Sequence, residues 1–266
     1  MNDMAIGGAA STIDRNRELE GKVAIITGSA RNIGRSMAEE LARAGATVVI
    51  NAVNAKDLCE EVAHGIEQAG GKALPILADI TKQEDVDRMV EQTVKELGGL
   101  NILINNAAIR SRAHFTKLKF EDWEKLREVA LDGGLRTSLA AVPHIIKRGG
   151  GSIIGIHGMT SYSGLSPEGA HKAAVKTGMA GMIRGMAYDL GEYNITCNAA
   201  VVGRFDTDRA TGSGDPRDWT KDTSVPMQRK GVPQDMADLV RFLVGPFARY
   251  ISGQTIHVNG AAYMPH

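Results

Sequence analysis

The stretch Lys22-Val23-Ala24-Ile25-Ile26-Thr27-Gly28-Ser29-Ala30-Arg31-Asn32-Ile33-Gly34-Arg35 decides the fold of this chain. Residues 22–27 form an unbroken apolar run of the kind found in strands covered on both faces. A glycine-rich turn follows, and residues 33–44 begin a helical period at once. In that order, the turn lets the backbone approach a pyrophosphate seated at the positive helix N-terminus. The alternative is a tight turn without a ligand. What favours the phosphate reading is the turn's place after the first strand of an alternating pattern.

That alternation continues along the chain. Residues 47–51, 73–78, 101–105, 152–156, 195–199 and 255–258 read as further strands. Residues 56–69, 83–97, 120–147, 175–190 and 234–244 carry helical periodicity. Strands separated by helices imply right-handed crossovers. The expected fold is α/β: a doubly wound, seven-stranded parallel sheet, Rossmann-like, in a single domain over 21–266. Residues 203–229 hold Gly212, Gly214, Pro216 and Pro226 with little periodicity and read as an insertion, either a lid or a surface loop. Trp219 within it would cap an apolar substrate portion or anchor the insertion. Residues 1–20 read as a flexible arm, with no compact apolar core of a secretory signal.

Composition narrows the partners. The 266 residues suit one domain with a large core, and 43% hydrophobic with 23% charged content is that of a globular protein. Lys+Arg and Asp+Glu both number 31, so no net field favours nucleic acid or an anionic membrane. No apolar run approaches a membrane span. Cys59 and Cys197 lie far apart without metal-ligand spacing, so no metal is expected. They read as reduced thiols of a cytoplasmic protein.

The run from Lys176 through Leu190 into Tyr193-Asn194-Ile195-Thr196-Cys197-Asn198-Ala199 resembles, without a gap, the catalytic-lysine helix and following strand of the short-chain dehydrogenase/reductase family. The first turn resembles that family's T-G-x-x-x-G-x-G element, with Asn32 at the middle glycine; Asn tolerates left-handed backbone angles. Asp79-Ile80, Asn105-Asn106-Ala107-Ala108 and Ile251-Ser252-Gly253-Gln254 extend the likeness over about 21–260. The resemblance implies a nicotinamide cofactor held by Gly28, Ser29, Arg31, Asn32, Ile33, Gly34, Asn51, Asp79, Ile80, Asn106, Ala107, Ala108 and Lys176. No carboxylate follows the second strand before Asp57, and Arg31 stands in the turn. Both favour NADP(H) over NAD(H). An exposed arginine without a ligand is the alternative for Arg31.

In the family a tyrosine precedes the lysine by four residues and donates the proton, a serine orients the substrate oxygen, and an asparagine holds a relay water. Here Lys172 stands at the tyrosine position, Gly158 or Met159 at the serine, and Ala130 at the asparagine. Two readings stay open. In one, a carbonyl reductase or secondary alcohol dehydrogenase moves its proton through a non-standard group: Lys172 first, then His171, then Tyr162, with Thr160 supplying a hydroxyl. Lys172 lies one turn from Lys176, and mutual repulsion would lower one of their pKa values. In the other, the chain is a catalytically silent homologue that binds cofactor or supports an oligomer. Arg110, Arg112 and Arg204 follow strand ends and would suit an anionic carbonyl substrate, or be solvated loop charges. The resemblance also implies a homotetramer or dimer built through 120–147 and 175–190.

Overall fold

The computed structural model describes residues 14, 16–159, 162, 169–207 and 222–264. Seven strands form one sheet: β1 (Val23–Ile26), β2 (Thr47–Ala52), β3 (Lys72–Leu77), β4 (Ile102–Asn105), β5 (Gly151–Gly158), β6 (Ile195–Val202) and β7 (Thr255–Val258). All pairs are parallel, in the order β3-β2-β1-β4-β5-β6-β7. The chain grows outward from β1 in both directions, so a crevice opens where the order reverses, beyond the C-terminal ends of β1 and β4. β1 and β4 are buried along their whole length, which is why they carry unbroken apolar runs.

The helices are α1 (Asn32–Arg43), α2 (Lys56–Gln68), α3 (Gln83–Leu97), α4 (Phe120–Arg127), α5 (Gly133–Lys147), α6 (Ala170–Asp189) and α7 (Pro233–Val244). Residues of α1, α2 and α7 bury one face of the sheet, through Met37, Leu41, Val62, Ile66, Met236 and Val240. Residues of α3, α5 and α6 bury the other, through Met89, Val90, Ala141, Ile145 and Ile183. Arg241 of α7 joins the faces of the chain's start and α1, bonding Glu18 at 2.7 Å and the buried Glu40 at 2.6 Å.

Two elements differ from the sequence expectation. The helix expected over 120–147 is broken by a π-helical turn, Glu128–Asp132, between α4 and α5. A π-turn adds one residue and shifts the buried stripe by about 100°, within the width of an apolar face, so periodicity does not reveal it. The helix expected to start at 175 begins at Ala170, which places His171 and Lys172 in its first turn.

The described ends of the 203–229 insertion are tied together. Phe205 pairs with Gly231, Gly231 N–H donates to Arg204 O at 2.9 Å, and Asp206 N–H donates to Gly231 O at 2.8 Å. Residues 208–221, Trp219 among them, fall outside the described residues, as do most of the N-terminal arm and Thr160.

Candidate functional site

The phosphate turn is built by close approach. Gly28 has φ +66° and a Cβ there would meet Ala107 Cα at 3.1 Å. A Cβ on Gly34 would stand 2.4 Å from Gly28 O and 2.7 Å from Asn106 Nδ2. Asn32 takes φ +53°, the left-handed geometry its side chain tolerates. α1 starts without a side-chain cap and without an acidic residue in its first turn. Its leading N–H groups therefore remain suited to an anion, and the residues present fit a pyrophosphate.

Several expected cofactor residues turn out to shape this turn from behind. Ser29 Oγ donates to Ile26 O at 2.7 Å and accepts from Asn51 N at 2.9 Å. Asn51, 2% exposed, accepts from Gly28 N at 3.2 Å and donates to Ala78 O at 3.1 Å. Asn106 Nδ2 donates to Thr27 O at 2.9 Å and Gly28 O at 3.1 Å. Asp79 Oδ1 accepts from Thr81 N and Oγ1, closing its own turn, and Ile80 is buried. Ile33 packs on the core, whereas Arg31 and Ala108 are exposed at the crevice. Thr27 is the hub that sequence reasoning left without a role. Its Oγ1 accepts from Asn106 N and Ala107 N, both at 3.0 Å, and donates to Ile104 O at 3.3 Å. The signal was available: a hydroxyl ending β1 opposite the end of β4.

At the other side of the crevice, Lys176 Nζ donates to Ile156 O of β5 at 3.2 Å. Burial pulls its pKa down to about 8. That lowering was expected from repulsion between the two lysines, but its cause is desolvation. Lys172 is half-buried one turn earlier. It and His171 sit where the helix dipole disfavours positive charge. His171 is 3% exposed and points away from Lys176, with Nε2 2.7 Å from Ser111 Oγ. Burial, then the Lys172 charge, lowers its pKa, with Asp122 acting in the opposite sense. His171 also floors a groove of about 420 Å³ lined by Phe115, Phe120, Trp123 and Ala174.

Tyr162 lies elsewhere. Its ring packs edge-on against His257 of β7 with centroids 5.0 Å apart, and His257 packs against Tyr263 at 5.5 Å. Burial raises the Tyr162 phenol pKa, against the lowering pull of the Thr255 hydroxyl and Arg184. The structure thus places Lys172 one helical turn before Lys176 and leaves Tyr162 over β7. Gly158 ends β5 half-buried, and Ala130 is buried in an apolar cluster with Leu126 and Val175. Arg204, expected either to meet an anionic substrate or to be a solvated loop charge, is engaged within the chain: its Nη1 donates to Asp222 at 2.8 Å and also contacts Ser224.

Residues 28–261 match the family model described as enoyl-(acyl carrier protein) reductase. The chain belongs to the short-chain dehydrogenase/reductase family. A 3-oxoacyl-[acyl-carrier-protein] reductase FabG of Staphylococcus epidermidis is 32% identical over 243 residues, covering 91% of this chain and 99% of that one. A dehydrogenase/reductase structure from Sinorhizobium meliloti 1021 superposes with a TM-score of 0.87 at 32% identity, covering 94% of this chain and 98% of that one. A short chain dehydrogenase from Burkholderia cenocepacia J2315, solved in complex with NADP, gives 0.84 at 31%, covering 92% and 99%. This family member is an NAD(P)-dependent oxidoreductase on a Rossmann-like fold. Among the described residues, no helix is long and apolar enough to cross a membrane.

Proposed function

We propose that this chain is an NADP(H)-preferring carbonyl reductase or secondary alcohol dehydrogenase whose proton passes through Lys172. The observation that carries the reading is Lys176: a desolvated ammonium fixed on β5, facing the same crevice as the glycine turn. The nicotinamide, when bound, supplies or accepts the hydride. The Lys176 ammonium would donate to the hydroxyls of the cofactor's ribose. Lys172 Nζ gives its proton to the substrate carbonyl oxygen, or takes it back in the oxidising direction. His171 ranks below Lys172 because Ser111 holds its Nε2, and Tyr162 below both because it packs on β7. Thr160, outside the described residues, stays a candidate hydroxyl on sequence grounds. Arg31 at the turn, with no carboxylate at the end of β2, supports the 2′-phosphate of NADP(H).

The relatives named 3-oxoacyl-[acyl-carrier-protein] reductase make a 3-oxoacyl thioester the first carbonyl to try. Arg110 and Arg112, exposed after β4, suit an anionic portion of the substrate. A homotetramer or dimer is proposed through α4–α5 and α6. Leu135 and Leu139 of α5 are 44% and 64% exposed, and open space lies above Gly181 and Gly185 of α6.

Calorimetric titration with NADPH and NADH, followed by NADPH oxidation over a carbonyl panel, tests the proposal. NADPH should bind more tightly, and Lys172→Ala should lower kcat by about a hundredfold or more, with His171→Ala nearly neutral. Full activity in Lys172→Ala removes Lys172 as donor. A second reading, a catalytically silent subunit, draws on Gly158 and Ala130, which offer no hydroxyl or amide. Tight NADPH binding without turnover of any carbonyl in the panel would favour it.

A further inference from the structure

His157 stands on β5 between Ile156, whose carbonyl receives the Lys176 ammonium, and Gly158. It is 2% exposed, and among the described residues neither ring nitrogen meets a partner in hydrogen-bonding geometry, although the Lys176 backbone lies close enough to act on the ring. Ile154 and Ile156 pack on the face covered by α1 and α7, so strand alternation turns His157 to the α6 face. The ring lies back along the strand. Its Nε2 is 3.0 Å from where a Cβ on Gly155 would stand, and Ile183 of α6 walls the same spot. A buried imidazole without partners costs free energy that leucine or valine would not.

Burial first, then the charge of Lys176, holds the His157 pKa down to about 3, against an opposing pull from the Lys176 backbone. Asn105 of β4, on the same face, spends its amide on Thr137, Gly134 and Ser138 of α5. The Cys197 thiol of β6 is pushed up to about 12 by burial, so it carries no charge at neutral pH. Lys172 is the other cation of α6 near this end, and Asp132, beyond the apolar cluster of Ala130, is paired with Arg127.

We infer that His157 is a positioning residue for Lys176, the polar wall of β5 against which the lysine ammonium is held. The inference rests on the role proposed for Lys176. An imidazole that stays neutral presents lone-pair and N–H dipoles without adding charge. It therefore favours the ammonium over the free amine. An alkyl side chain would leave the ammonium only the Ile156 carbonyl. With Ala130 offering no polar atom from the α4–α5 side, β5 is the element from which such support comes.

The test uses the full chain and two readouts. In His157→Leu, the alkaline fall of NADPH affinity, with its midpoint near the Lys176 pKa of about 8, should move about one unit lower, a loss of about fivefold at pH 8 that approaches tenfold well above it. His157→Gln, which keeps a polar amide, should stay near wild type. An unmoved midpoint in folded His157→Leu overturns the inference. Lys176→Met supplies an arm independent of nucleotide: imidazole ¹⁵N shifts of the free protein should show His157 titrating about one unit higher once the cation is gone. An unchanged His157 titration also overturns it. Should NADPH fail to bind at all, the proposed function falls, and the ¹⁵N shift alone decides the contact.

Discussion

The two sides of the crevice are built on different principles. On the β1–β4 side, Thr27, Ser29, Asn51 and Asn106 spend nearly every polar atom on one another and on the backbone. Their net fixes a turn so tight that Gly34 excludes a Cβ and Gly28, at φ +66°, would hold one only under strain. Among the described residues of the β5–α6 side, the Lys176 ammonium donates to Ile156 O, the His157 ring nitrogens meet no partner in hydrogen-bonding geometry, and Ala130 sits in apolar packing. The first side positions a ligand by geometry that is complete before the ligand arrives. The second stores unsatisfied polarity, which is what a reacting centre requires and what stability alone would remove.

The contrast can be broken most severely at Gly34. Gly34→Ala forces a Cβ to within 2.4 Å of Gly28 O. It should cost about 3 kcal/mol or more in urea unfolding and abolish NADPH binding in calorimetry. Stability loss without loss of nucleotide binding would separate the turn from the cofactor.

Lys176→Met sharpens the contrast from the other side. The folded protein holds this amine at about 8 against 10.5 for an ordinary lysine, so between those values the unfolded chain carries more protons. Wild-type stability should therefore rise as pH climbs from 8 to 10.5. Lys176→Met should abolish that rise and be roughly 1–3 kcal/mol more stable at pH 7, discounted for partial solvent contact. NADPH affinity should fall about tenfold to a hundredfold, the range for a charge-assisted hydrogen bond. Denaturant melts at pH 7 and 10, beside calorimetry, read both halves of this prediction.

The smallest effect is expected at Thr27. Thr27→Val leaves the Asn106 and Ala107 amides without their acceptor. It should lower stability by about 1–2 kcal/mol and weaken NADPH severalfold through a loosened turn. A neutral outcome in both measurements would mean that the β1–β4 net is redundant.

Much of the architecture was legible because burial writes itself into pattern. Ile25, Val49, Leu103 and Ile153 all lie in runs without polar interruption, and all seven expected strands belong to one sheet. The phosphate turn was legible because only small or left-handed-tolerant residues fit it. The break at Glu128–Asp132 and the earlier start of α6 were not, since an added residue in one turn and a fully apolar helix face leave periodicity intact. Nor was the use of Asn51 and Asn106: the same amide reads equally as a ligand contact or a backbone clamp, and only the strand register chooses.

From the order of its residues alone, this chain determined a parallel sheet, a glycine-rich turn whose shape suits an anion and a lysine on the helix after β5. Those follow from local sterics and from apolar runs that must find cover. Three-dimensional packing decided the rest. It desolvated Lys176 and so set its pKa by burial instead of by Lys172, carried Tyr162 away to β7, and pressed His157 beneath α6. Each depends on which long-range neighbour excludes water, and that is a property of the assembled sheet and helices rather than of spacing along the chain.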